Sequence, residues 1–152
     1  MLQDTESMLL IKHKVAAVKN LTALERDSVV LNWEERRKSR QRLKTTKGIE
    51  IAVALPTGTI LYNGDILYIN NNSYIAVEAA EEDVVVIYPD DMTKGAVIAY
   101  EIGNRHLPIS INGDTIMTPY NHVLEDYLKK EAIQYEHKRD VFEPIKRGHS
   151  HG

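Results

Sequence analysis

Val84-Val85-Val86-Ile87-Tyr88-Pro89-Asp90-Asp91 is the stretch on which the fold turns. An apolar run without alternation suits a strand buried on both faces, and Pro89 ends it. Asp90 and Asp91 supply acceptors and negative charge for the free N–H groups at the start of a helix. Met92, Ala96, Ala99 and Ile102 follow at helical spacing, and Gly103-Asn104 reads as the helix stop.

Downstream, Pro108 to Ile111 and Thr115 to Met117 flank Asn112-Gly113-Asp114, a hairpin signal. Thr118-Pro119 then reads as the start of a second helix, with Glu125-Asp126 in its early turns and Val123, Leu124, Tyr127 and Leu128 on its apolar side. Ile133 to Lys138 reads as a last strand. The order is strand, helix, strand, strand, helix, strand, which predicts a ferredoxin-like βαββαβ domain over residues 80–139. From Asp140 to Gly152 periodicity is lost, and a mobile tail is expected over 140–152.

Upstream, residues 1–79 read as a small β-rich domain. Short apolar runs at Met8–Ile11, Ser28–Trp33, Ile66–Ile69 and Tyr74–Ala79 are separated by turn residues such as Pro56-Thr57-Gly58 and Asn63-Gly64-Asp65. Leu21 to Asp27 is too short for a stable helix and reads as one turn. Ile49, Ile51, Val53 and Leu55 alternate with Glu50, Ala52 and Ala54, as a half-buried strand requires. The fold class is therefore α+β.

The chain has 152 residues, 43% of them hydrophobic and 27% charged, an ordinary balance for a globular protein. There is no Cys, so disulfides, thiolate metal sites and Cys nucleophiles are excluded, and a tight metal site must use His with carboxylate or water oxygen. The N-terminus lacks the layout of a signal peptide and no apolar run approaches ~18 residues, so a cytoplasmic protein without a membrane partner is expected.

Charge is unevenly placed. Seven of the 19 Lys and Arg residues fall between Arg36 and Lys47 with no acid among them, leaving 12 bases against 22 acids elsewhere. Arg36, Arg37, Arg40 and Arg42 are candidate partner-binding residues, while the plainer reading is a solvated connection between strands. An RNA- or protein-binding module using residues 36–47 is the alternative reading, and because no aromatic residue interrupts the segment its nucleic-acid signal is weak.

Six histidines are the other chemical signal. His106 lies between a helix stop and a strand, and His122 in the first turns of the second helix; the intervening hairpin lets both face one region. His149-Ser150-His151 places two alternating imidazoles near the terminus, a compositional pointer to metal. His13 and His137 sit beside lysines and receive no role. There is no His-Glu-x-x-His pattern, no Gly-rich phosphate loop and no candidate Ser-His-Asp layout, so no enzyme activity is expected. One fixed histidine per chain is too few to hold a metal firmly. A twofold dimer would double it, with tail histidines completing an exchangeable shell.

Gly103-Asn104-Arg105-His106, Tyr120-Asn121-His122-Val123-Leu124, Arg40-x-Arg42-Leu43-x-Thr45-Thr46-x-Gly48, Leu55-Pro56-x-Gly58 with Gly64-Asp65, and Phe142-Glu143-Pro144 occur in that family's pattern: the chain resembles urease accessory proteins of the UreE type, the nickel metallochaperones. The resemblance covers nearly the whole chain after the first strand. It implies a homodimer joined through the second domains, with two copies of His106 meeting at the interface. It also implies Ni(II) passed towards the urease apoprotein through accessory proteins that include a nickel-dependent GTPase, and a protein rather than nucleic-acid partner for the basic segment. Zn(II) or Cu(II) would suit the same imidazoles. Some members carry a histidine where this chain has Tyr120, and some have longer His-rich tails.

Overall fold

The computed structural model describes residues 8–16 and 20–145. It divides into two compact units, Met1–Ala80 and Glu81–Gly152.

In the first unit β1 (Leu9–Ile11), β4 (Glu50–Ala54) and β3 (Arg40–Lys44) form one three-stranded sheet in the order β1-β4-β3. A second sheet has the order β2-β6-β5, from β2 (Glu25–Leu31), β6 (Ser73–Ala79) and β5 (Ile66–Ile69). Each sheet contains one parallel and one antiparallel pair. Ile11, Val29, Leu31, Ile51, Val53, Leu55, Leu61, Leu67, Ile75 and Val77 make the core.

Strand β2 begins at Glu25, three residues before the apolar run, because its parallel ladder with β6 takes in Glu25, Arg26 and Asp27 opposite Ser73, Tyr74 and Ile75. The strand stops at Leu31. Asn32 then caps a single helical turn, α1 (Trp33–Arg36), through a capping box: Asn32 Oδ1 accepts from the Glu35 N–H, and Glu35 Oε1 accepts from the Asn32 N–H, both at 2.9 Å.

The basic segment is not one solvated connection. Its first part closes α1, and its second is strand β3, where Gln41 and Leu43 alternate with exposed Arg40, Arg42 and Lys44. The turn from β3 to β4 is held by Asp27, whose Oδ1 accepts from the Ser28 N–H (2.8 Å), the Thr46 hydroxyl (2.9 Å) and the Lys47 N–H (3.1 Å). Burial pushes the Asp27 carboxyl up, but these bonds and the Thr45 hydroxyl outweigh it and hold the group below its usual range.

The second unit runs β7 (Glu81–Tyr88), α2 (Met92–Asn104), β8 (Ser110–Asn112), β9 (Thr115–Pro119), α3 (His122–Lys130) and β10 (Gln134–Val141). Its sheet order, β10-β7-β9-β8, is that of the ferredoxin-like fold. Val85 and Ile87 face the helices and pack with Ile98, Ile102, Ile116, Leu124 and Leu128. Val84 and Val86, on the opposite face of β7, are buried as well.

Three boundaries differ from the sequence reading. Pro119 is the last residue of β9, opposite Val84, so α3 starts later, at His122, with Asn121 as its cap accepting from the Leu124 N–H. Helix α2 continues through Gly103 and Asn104. Residues 140–145, expected to belong to a mobile tail, are instead part of the unit: β10 reaches Val141, Phe142 is fully buried, and the Ile145 N–H donates to the Ile109 carbonyl at 2.9 Å. None of the described helices is long and apolar enough to cross a membrane.

Candidate metal centre

Helix α2 ends at Asn104, and the left-handed residue that closes it, just past the cap Arg105, is His106 rather than a glycine. The His106 N–H donates to the Gly103 carbonyl (2.9 Å) and the Leu107 N–H to the Ile102 carbonyl (3.1 Å), the two bonds of a Schellman motif. The residue that motif places in the left-handed region is His106, at φ 60°. For a residue with a Cβ this conformation costs on the order of 1 kcal/mol, and His adopts it more readily than a branched residue. Leu107 offsets the cost by packing against the core that holds Ile102.

The rest of the loop is equally fixed. Arg105 Nη1 donates to Glu101 Oε1 (2.6 Å) and to the Glu101 carbonyl (3.1 Å), and its guanidinium lies 5.3 Å from the centre of the Tyr127 ring on α3. The Thr118 hydroxyl donates to the Pro108 carbonyl at 2.8 Å. With the Ile145 bond to Ile109, α3, β9 and the segment that follows β10 are each tied to the loop that carries His106. The ring itself is exposed.

His122 is the first residue of α3 and is also exposed. The bond between Thr118 and Pro108 brings the end of β9 to the loop after His106, so both histidines lie at the same end of the sheet. Tyr120, two residues before His122, is committed elsewhere. Its ring stacks on His137 (centroids 4.1 Å apart, planes 10° apart), and its hydroxyl donates to Glu125 Oε1 at 2.8 Å. Glu125 Oε2 accepts from the Tyr135 hydroxyl at 2.7 Å. That bond pushes the Tyr135 phenol up to about 12, and the two tyrosine donors, Tyr135 first, hold the Glu125 carboxyl below its usual range.

His137, to which the sequence assigns no role, therefore belongs to this end of the unit, with Nε2 3.6 Å from Asp83 Oδ1. Its position two residues beyond Tyr135 on β10 was the available signal: the two share the helix-covered face. Among the described residues no three His, Asp or Glu side chains converge as a metal cage. His149 and His151 lie outside the described residues.

The four arginines proposed for partner binding separate in the structure. Arg36 is fully buried, its Nε 3.4 Å from the Leu31 carbonyl and its guanidinium 5.6 Å from the centre of the Trp33 ring. It supports the first unit from inside and offers nothing to a partner, because α1 turns its side chain onto β2. Arg37 is exposed and paired with Glu34 at 3.2 Å. Arg40 and Arg42 are exposed on one face of β3.

Fold and site define a two-domain α+β protein with a histidine held at the end of its second, ferredoxin-like unit. Family comparison makes the class specific. Residues 11–80 match the N-terminal domain of the UreE urease accessory protein, and residues 82–152 match its C-terminal domain. The chain belongs to the UreE family of urease accessory proteins, whose role is in urease maturation. It is similar to the urease accessory protein UreE of Bacillus cereus, 35% identical over 127 residues that cover 82% of this chain and 84% of the relative. The UreE of Bacillus sp. (strain TB-90) is 32% identical over 143 residues, covering 88% and 95%. That of Synechococcus sp. (strain JA-3-3Ab) is 38% identical over 120 residues, covering 78% and 80%.

Proposed function

We propose that the chain is a cytoplasmic, non-enzymatic nickel metallochaperone that works as a homodimer, with His106 of both protomers as the fixed Ni(II) ligands. The observation that carries this is an exposed imidazole on a backbone held by a Schellman motif and by bonds from Thr118 and Ile145. A ligand so placed meets an ion without rearrangement of the chain.

A dimer is supported by α2. Thr93, Ala96, Val97, Tyr100 and Gly103 recur at helical spacing on its exposed side, with Val97 48% and Tyr100 68% accessible. This stripe of small and apolar groups leads to His106, so two copies packed along it would bring two imidazoles together.

His149 and His151 are further ligands in this reading. Ile145 is anchored beside Ile109, three residues beyond His106, so the segment that leads to His149 and His151 starts next to the His106 loop. His122, at the same end of the sheet, is a secondary donor. Ion transfer then requires only that a partner compete for the tail's positions. The urease apoprotein and its accessory proteins, including the nickel-dependent GTPase, are the proposed recipients. Imidazole binds Cu(II) more strongly than Ni(II) and also suits Zn(II), so the partner and metal supply set the physiological cargo.

Equilibrium dialysis against Ni(II), with the mass measured by light scattering, tests the reading. A dimer that retains nickel, and a His106→Ala dimer that loses it, are expected. Equal and weak retention by both overturns the proposal.

A further inference from the structure

Three basic residues of the 36–47 segment, Arg40, Arg42 and Lys44, share one surface. On β3, Arg40, Arg42 and Lys44 point away from the core, and none is in an ion pair among the described residues. Opposite them on β4 stand Ala54, Ala52 and Glu50, and opposite Ala52 on β1 stands Leu10, 58% accessible. The outer face of the β1-β4-β3 sheet is therefore a shallow trough. Two alanine methyls floor it, a row of three cations forms one wall, and Leu10 forms the other.

Its rigidity comes from below. Leu43, Ile51, Val53 and Leu9 on the inner face pack into or against the first unit's core, and Asp27 pins the turn that joins β3 to β4. Charges in the row recur at every second residue of a strand, about 6.6 Å apart. That is also the spacing of alternate side chains in any extended peptide, and a floor of methyl groups lets a peptide backbone approach closely.

From this match we infer that the outer face of β1-β4-β3 docks an extended acidic segment of a protein partner, one with carboxylates at alternate positions. Nucleic acid fits less well. Among the described residues no aromatic ring stands on this face to stack a base. The inference deepens the partner reading above and assigns it a surface in the first unit; it does not depend on His106 or on nickel.

The test is a titration of the full-length, 15N-labelled protein with a peptide of four Glu-Ser repeats, and separately with octauridylate. Amide shifts confined to β1, β3 and β4 on adding the peptide are expected, weakening with added salt because the charges are exposed. Arg40→Ser with Arg42→Ser should weaken peptide binding about tenfold, the scale of two exposed charge contacts, with the melting temperature unchanged. No shifts at millimolar peptide, shifts elsewhere in the chain, or tighter binding of octauridylate to the same amides would each overturn the inference. Nickel uptake measured on the same variant separates the two proposals. Its presence or absence bears on His106, and the peptide shifts bear on this face.

Discussion

The backbone N–H of Leu107 donates to the carbonyl of Ile102 at 3.1 Å, and the turn closed by that bond forces His106 into the left-handed region. Both flanking side chains are in the second core, Ile102 fully buried and Leu107 packed against it. The main chain at 106 is thus fixed by apolar burial on either side, while the imidazole is in contact with solvent. Rigidity and accessibility at one residue come from different groups.

This arrangement predicts that His106→Gly separates folding from metal binding. Glycine removes the conformational cost at φ 60°, so unfolding free energy should rise by about 1 kcal/mol. Nickel retention should fall as it does for His106→Ala. Urea denaturation beside dialysis checks both, and a less stable glycine variant would show that the imidazole makes a contact the backbone argument omits.

Tyr100 carries the dimer prediction. It is the most exposed large apolar side chain on the α2 stripe. Tyr100→Glu would set two like charges against each other across a twofold axis and weaken association at least tenfold. Sedimentation should show monomer, with nickel per chain reduced. An unchanged dimer mass would place the interface on another surface.

The Glu125 pair of tyrosines gives a pH signature. The folded phenol of Tyr135 is raised to about 12, so its stabilisation is fully present below the ordinary value of 10.0 and is lost as pH rises through about 12. Glu125 is depressed, so its contribution is present above 4.5 and is lost as pH falls through its folded value below that. Tyr135→Phe should flatten the alkaline limb of a melting-temperature profile and reduce part of the acid limb. An alkaline limb identical to wild type would remove Tyr135 as its source.

Arg36 and Arg37 are neighbours with opposite expectations. Arg36→Ala empties a fully buried site and should cost about 3 kcal/mol. Arg37→Ala removes an exposed i,i+3 pair with Glu34 and should change stability by less than about 0.5 kcal/mol. Denaturation midpoints of the two variants decide the matter.

Those two arginines also show where sequence was legible. Alternation and apolar runs predict β4, β6, β7, β10 and the order of the second unit, because burial on one or both faces writes a period into the residues. Starts and stops are less legible. Strand β2 takes in Glu25 and Asp27 through a ladder with distant Ser73 and Ile75, which no local propensity encodes. Helix α2 passes Gly103 because core packing of Ile102 and Leu107 puts the closing left-handed residue at His106, three positions later. Nothing local distinguishes Arg36 from Arg37, although the Asn32 to Glu35 capping box could have placed α1 and with it the inward side of the turn. At the candidate site, the position of His106 between a helix and a strand was legible. The stacking of His137 on Tyr120 depends on the pairing of β10 with β7, and was not.

Helix α3 ends with the same two bonds as α2: the Ala132 N–H to the Lys129 carbonyl and the Ile133 N–H to the Leu128 carbonyl, with Ala132 at φ 56°. The two halves of the unit thus carry one socket twice. One copy holds a methyl group with no donor atoms, the other an imidazole, and the backbone accommodates both on similar terms. The side chain at such a socket is interchangeable as far as folding is concerned, so a metal ligand could be gained, lost or exchanged there without rebuilding the domain around it.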